Sequence, residues 1–159
     1  MIKIGDKIPH AEFHVMTAEG KTRTSSDVIF AGRKVVLFAV PGAFTSTCTN
    51  THLPGYVQAL EALKAKGVDM VACTAVNDID VLNAWGRHNG ADGKITMLAD
   101  GNGTFAKLAG LEIDLASAGM GLRSKRYSMV VDNGVVRHLN IEDKPGVNVS
   151  GAETILSQL

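Results

Sequence analysis

Residues 34–48 run Lys34-Val35-Val36-Leu37-Phe38-Ala39-Val40-Pro41-Gly42-Ala43-Phe44-Thr45-Ser46-Thr47-Cys48. Lys34–Val40 is an unbroken, Val-rich apolar run between Gly32 and Pro41. Such a run predicts a central strand covered on both faces, where an alternating pattern would predict one wet face. Pro41 ends it. Beyond Cys48, Leu53, Val57, Leu60 and Leu63 recur at three- and four-residue steps as far as Gly67, the spacing of a helix that buries one stripe. Pro54 inside that stretch predicts a kink or a break between two segments.

The rest of the chain extends this strand–loop–helix unit. Val68–Val76 reads as a second buried strand, followed by a helix capped by Asn77 or Asp78 that turns Ile79, Leu82 and Trp85 inward. Ile95–Ala99 predicts a third strand, and Phe105–Leu108 a short helix leading into a Gly-containing loop. Upstream, Glu12–Met16 and Lys21–Ser25 flank the turn Ala18-Glu19-Gly20. Downstream, Tyr127–Val131 and Val135–Ile141 flank Asp132-Asn133-Gly134, a strong hairpin signal. Ser150–Leu159 reads as a closing helix capped by Ser150, with Glu153 three residues on. The expected architecture is α/β, a single domain over residues 1–159 whose central mixed sheet carries helices on both faces. That order of elements is similar to the thioredoxin-like fold.

Composition narrows the function. The chain has 159 residues, 45% hydrophobic and 20% charged, which suits one packed domain and not a disordered chain. Its sixteen basic and sixteen acidic residues cancel to zero net charge, which argues against a general nucleic-acid binder. No apolar run approaches the roughly 20 residues of a membrane-spanning helix. The start, Met1-Ile2-Lys3-Ile4-Gly5-Asp6, lacks the pattern of a secretory signal, so a cytoplasmic protein with free thiols is expected. Cys48 and Cys73 form no C-x-x-C pair, and His10, His14, His88 and His138 are scattered, so no metal is expected.

The loop after Val40 is where chemistry is expected, because ligands of open α/β sheets bind beyond the carboxyl ends of the strands. Cys48 stands there at the start of a helix. Free N–H groups of the first turn, the helix dipole and any nearby cation would all favour a thiolate. Pro41 sets the direction of the chain into the loop, and Gly42 lets backbone approach whatever enters. On these cues alone, a reactive cysteine and an ordinary packed one stand level.

Pro41, Thr45 and Cys48 form P-x-x-x-T-x-x-C, which resembles the active-site signature of peroxiredoxins. The longer run Pro41–Thr45, with Cys48 and His52-Leu53-Pro54-Gly55-Tyr56, is similar to their type five, or plant type II, branch. The similarity continues through Ala72-Cys73, Val76-Asn77-Asp78, Trp85-Gly86, Leu98-Ala99-Asp100 and Arg126–Val131, and so covers nearly the whole chain. The resemblance implies a thiol peroxidase acting on hydrogen peroxide and small alkyl hydroperoxides, without a cofactor. Cys48 matches the peroxidatic cysteine that becomes a sulfenic acid. Thr45 matches the residue whose hydroxyl holds the thiolate and a peroxide oxygen, and Pro41 the proline that shields the sulfur. The family's arginine falls on Arg126, with Arg123 as the competing cation. Arg126 suits the role, since a guanidinium offers a fixed fork of donors and keeps its charge. Backbone N–H groups near Thr47 and Cys48 would add donors of the oxyanion-hole kind.

The resemblance also bears on the second half of the cycle. Some type five relatives carry a resolving cysteine before the last helix, but Asp143–Gly151 contains none. Cys73 matches a second cysteine of the plant type II group and lies in a strand whose apolar pattern marks it as buried, so an inert core thiol is the leading reading and pairing with Cys48 the minor one. Reduction by an outside thiol is therefore expected, from glutathione with glutaredoxin or from thioredoxin. His52 is expected to brace the loop, either neutral or charged. Gly119-Met120-Gly121-Leu122 is expected at the rim of the site. Trp85 and Phe105 read as core packing; relatives pair through loops near the reactive cysteine, which implies a homodimer with Phe44 at the contact and makes that contact the alternative role for Trp85. The competing functions are a thiol–disulfide oxidoreductase, weakened by the missing C-x-x-C, and a redox sensor using the same cysteine.

Overall fold

The computed structural model describes all of residues 1–159. Strands β1 (Glu12–Thr17) and β2 (Gly20–Ser25) form the first hairpin, followed by a short helix α1 (Ser26–Phe30). Then come β3 (Lys34–Ala39), a π-helical turn (Cys48–His52), α2 (Leu53–Ala65), β4 (Met70–Ala75), α3 (Ile79–His88), β5 (Thr96–Ala99) and α4 (Thr104–Ala109). The last third adds β6 (Glu112–Asp114), a 3₁₀ turn (Ala116–Ala118), β7 (Leu122–Ser124), β8 (Tyr127–Asp132), β9 (Val135–Ile141) and α5 (Ala152–Gln158).

The main sheet has seven strands in the order β2-β1-β5-β4-β3-β8-β9. β3 is parallel to β4, and β4 to β5, as crossover helices require, whereas β8 runs antiparallel to β3. The apolar run of residues 34–40 thus lies inside the sheet. Its residues alternate between two cores: Val36, Phe38 and Val40 join the cluster under α2, α3 and α5, while Val35, Leu37 and Ala39 join the cluster with Phe13, Phe30 and Phe105. Neither face is wet, which is why the run shows no polar alternation.

Three local differences from the sequence reading have physical causes. Pro54 does mark a break, but not by a kink: it occupies the first turn of α2, directly after the π turn. Proline has no N–H for the Asn50 carbonyl four residues back, and its ring crowds that carbonyl. The wider turn relieves both, with Leu53 N–H bonded to the Cys48 carbonyl five residues earlier. At α5, Gly151 and not Ser150 is the N-cap. The Ser150 hydroxyl instead donates to Glu142 Oε2 at 2.6 Å, a charge-assisted bond that outcompetes a neutral cap. The β6–β7 ladder was missed because strands this short carry no measurable periodicity. At α3, Asp78 takes the capping role by accepting from Val81 N–H at 3.0 Å, which frees Asn77 for the loop described next.

Candidate active site

The Pro41–Cys48 loop leaves the carboxyl end of β3 and is held from several sides. Thr45 Oγ1 donates to the Gly42 carbonyl at 2.7 Å, closing a turn over residues 42–45. Ala43 N–H donates to Asn77 Oδ1 at 3.0 Å, fastening the loop to the start of α3. Phe44 occupies the third position of that turn with φ 65°, a left-handed conformation that usually selects Gly or Asn. For a bulky side chain it costs on the order of 1–2 kcal/mol. Its ring is 52% exposed, 5.9 Å from the ring of His88. Gly42 sits in a crowded place: a Cβ there would come within 3.2 Å of Arg123 Nη1 and Met120 Cε, and these side-chain ends would have to shift. The expected rim around Gly119–Leu122 therefore packs its Met120 side chain directly on the loop.

Cys48 is fully buried at the start of the π turn. Arg126 reaches it from the junction of β7 and β8. Because Tyr127 pairs with Ala39, the residue before Tyr127 stands beside the end of β3, where the loop begins. The two arms of the guanidinium diverge. Nη2 donates to Cys48 Sγ at 3.1 Å, and Nη1 donates to His52 Nδ1 at 2.9 Å. A cation hydrogen-bonded to the sulfur stabilises negative charge on it, the main requirement for a nucleophilic thiol. Arg123 is engaged elsewhere: Nε donates to the Met120 carbonyl at 2.9 Å and Nη1 to the Val76 carbonyl at 3.4 Å. Between the two cations, the one at the sulfur is Arg126.

His52 is neutral, and its proton is fixed by its neighbours. Nε2 donates to the Ser150 carbonyl at 2.9 Å, so Nδ1 is left to accept from Arg126. Burial is the main reason that its pKa falls to about 4, with the Arg126 charge acting in the same direction and the Ser150 carbonyl opposing. Of the two forms expected for His52, the neutral one therefore fits near neutral pH, with Nδ1 facing the Arg126 donor. The ring lies 5.0 Å from Phe38, which stacks on Tyr56 at 4.1 Å, and Tyr56 Oη also donates to the Ser150 carbonyl at 2.7 Å. This aromatic wall and the carbonyl behind it were not anticipated from sequence. Their signal was present only as alternate positions of β3 and the i,i+4 pair His52 and Tyr56.

Other expectations divide. The Thr45 hydroxyl does not hold the sulfur; its proton goes to Gly42, which leaves it an acceptor. Pro41 is half-buried at the exit of β3, and Thr47 is half-buried one residue before the sulfur. Cys73 is fully buried on β4, in register with Phe38. Burial pushes its thiol well above the ordinary value, as does the nearby Cys48, against the pull of Arg126. Both thiols are free. Trp85 is fully buried, its Nε1 donating to Thr49 Oγ1 at 3.0 Å, so it braces the π turn and cannot lie on an intersubunit surface. No group of three or more His, Cys, Asp or Glu side chains is placed to hold a metal ion. No helix is long and apolar enough to cross a membrane.

A buried sulfur at a helix start, paired with a guanidinium and preceded by a hydrogen-bonded loop, suits attack on a small electrophile. Comparison with known proteins agrees. Residues 3–156 match the family model described as Redoxin. Peroxiredoxin-2C of Oryza sativa subsp. japonica is 43% identical over 159 residues, covering 99% of this chain and 98% of that one. Peroxiredoxin-2E, chloroplastic, of Arabidopsis thaliana is 42% identical, covering 99% of this chain and 69% of its own length. Among solved structures, reduced Prx3 of Vibrio vulnificus in complex with hydrogen peroxide superimposes with a TM-score of 0.96 at 51% identity, over 99% of each chain. Peroxiredoxins reduce peroxides at the expense of thiols. With a thioredoxin-like sheet and named relatives matched along nearly its full length, the chain belongs to the redoxin family and is a peroxiredoxin, a thiol-dependent peroxidase.

Proposed function

We propose that Cys48 is the peroxidatic nucleophile and that Arg126, Thr45 and Pro41 form its immediate machinery. The Arg126 hydrogen bond to Cys48 Sγ, at 3.1 Å, carries this reading. The thiolate attacks one peroxide oxygen and the O–O bond breaks. Sulfur gains that oxygen as a sulfenic acid, and the other oxygen leaves as alkoxide or hydroxide and takes up a proton, released as alcohol or water. Negative charge moves from sulfur to the leaving oxygen, and the divergent guanidinium can follow it without reorganising. Thr45, with its proton given to Gly42, can accept the O–H of the incoming peroxide. The full burial of Cys48 favours hydrogen peroxide and small alkyl hydroperoxides over bulky ones. Replacing Cys48 with Ser should abolish peroxide consumption with the circular dichroism spectrum unchanged. Arg126→Met should slow oxidation of the thiol on the order of 10²-fold or more, by analogy with losing one pre-oriented donor. Undiminished turnover in either variant would refute the mechanism.

For the return step we infer an outside thiol. It attacks the sulfenic sulfur, water leaves, and a mixed disulfide forms; a second thiol then releases Cys48 reduced. The burial of Cys73 and its raised pKa make it a poor internal nucleophile, which supports this route. Glutathione with glutaredoxin, or thioredoxin, would supply the electrons. Mass spectrometry of protein treated with peroxide and then glutathione should show Cys48 carrying glutathione. A dominant Cys48–Cys73 bond would overturn the route.

We also read residues 1–159 as a single domain that acts in the cytoplasm as a homodimer. The continuous seven-stranded sheet supports the first statement and the exposed Phe44 ring the last. Sedimentation should show a dimer that Phe44→Ser weakens; monomer alone at every concentration would count against it.

The proton on His52 has a consequence for stability. In the unfolded chain the imidazole binds a proton near 6.5, in the folded protein only near 4. The unfolded state therefore holds more protons between those values, and stability is complete above about pH 6.5 and falls as pH drops to about 4. The loss attributable to this ring is about 3 kcal/mol. Urea unfolding at pH 7, 5.5 and 4 should show that the decline is smaller in His52→Asn; equal declines would refute a neutral buried ring.

A further inference from the structure

We propose that Glu142 is a positioning residue for the reacting centre, its carboxylate folding the loop after β9 so that the Ser150 carbonyl sets the proton of His52 and, through it, the orientation of Arg126. The assignment rests on Cys48 and Arg126 being the reacting pair.

Glu142 follows β9 directly, and its own backbone N–H donates to the carbonyl of Arg126 at 3.0 Å. Its side chain turns to the loop ahead. Oε2 accepts from the backbone N–H groups of Asn148, Val149 and Ser150 at 2.8, 2.9 and 2.8 Å, and from the Ser150 hydroxyl at 2.6 Å. Oε1 takes Asn148 Nδ2 at 3.2 Å. A single oxygen gathering this many donors is a nest for negative charge. Burial alone would raise the pKa of this carboxyl, but the Ser150 hydroxyl and the three N–H groups outweigh it and bring it down to about 2.

The folded loop delivers one carbonyl to the interior. Ser150 O accepts from both Tyr56 Oη and His52 Nε2. A carbonyl can only accept and a guanidinium can only donate. Between them, His52 has one compatible form: hydrogen on Nε2, lone pair on Nδ1. Any other form aims an N–H of the ring at an N–H of Arg126, and the arm that donates to Cys48 Sγ belongs to the same rigid plane. Glu142 touches neither sulfur nor peroxide. It acts through the loop, and an amide in its place removes the negative charge and turns an NH₂ toward at least the Asn148 Nδ2 donor.

The test is Glu142→Gln in the full-length reduced protein, read by ¹⁵N NMR of the His52 ring and by the rate of Cys48 oxidation by hydrogen peroxide. The wild-type ring should show hydrogen on Nε2 alone. In the variant we expect a mixture of tautomers and oxidation slowed about tenfold. The ring measurement is made without peroxide, so it fails separately from the assignment of the nucleophile. A variant that melts earlier but keeps the single tautomer and the wild-type rate would overturn the proposal, because Glu142 would then only stabilise the loop. Should Glu142→Gln not fold, Glu142→Asp, which keeps the charge on a shorter arm, is read in the same way, and an unaltered tautomer there overturns it too.

Discussion

The site depends on one side chain being unable to rotate. The guanidinium of Arg126 is planar and permanently charged, and its two terminal nitrogens are committed in different directions, one to Cys48 Sγ and the other to His52 Nδ1. A lysine could meet either partner but not both with fixed geometry. Holding a half-buried cation is less costly where its donors meet acceptors. Neutral His52 suits that need, since it accepts without adding charge.

The sheet makes this meeting possible. Arg126 and Cys48 are 78 positions apart in sequence, and only the antiparallel placement of β8 beside β3 brings the start of one strand to the end of the other. The buried Val-rich strand is thus more than a core element. It delivers its carboxyl end to the place where the late hairpin presents its arginine, and its Phe38 forms the wall on which His52 leans. A register slip of one residue would exchange the two core faces and turn Phe38 away from α2.

Much of this was legible in the chain. The unbroken apolar run identified the central strand, Asn133-Gly134 the late hairpin, and Pro41, Thr45 and Cys48 the loop. What could not be read depends on contacts between distant segments. The destination of the Thr45 proton is one example, since a threonine near a helix start can serve its own loop or a substrate equally well. Ser150 is another: its position before a helix argued for capping, and only the folded chain places Glu142 where it can claim the hydroxyl. Trp85 reads as an inward residue of its helix and is buried, but its bond to Thr49, 36 residues away in sequence, is visible only in the folded chain. The π turn has no residue code of its own. Pro54 was its only visible trace.

The complete enclosure of Cys48 in the reduced form has a further meaning. A sulfur without surface of its own discriminates by bulk: the displacement of covering atoms that any reagent requires is least for a two-oxygen molecule and far larger for a maleimide, an iodoacetamide or the side chain of another protein. Selectivity then begins with size, before any charge or hydrogen bond is felt.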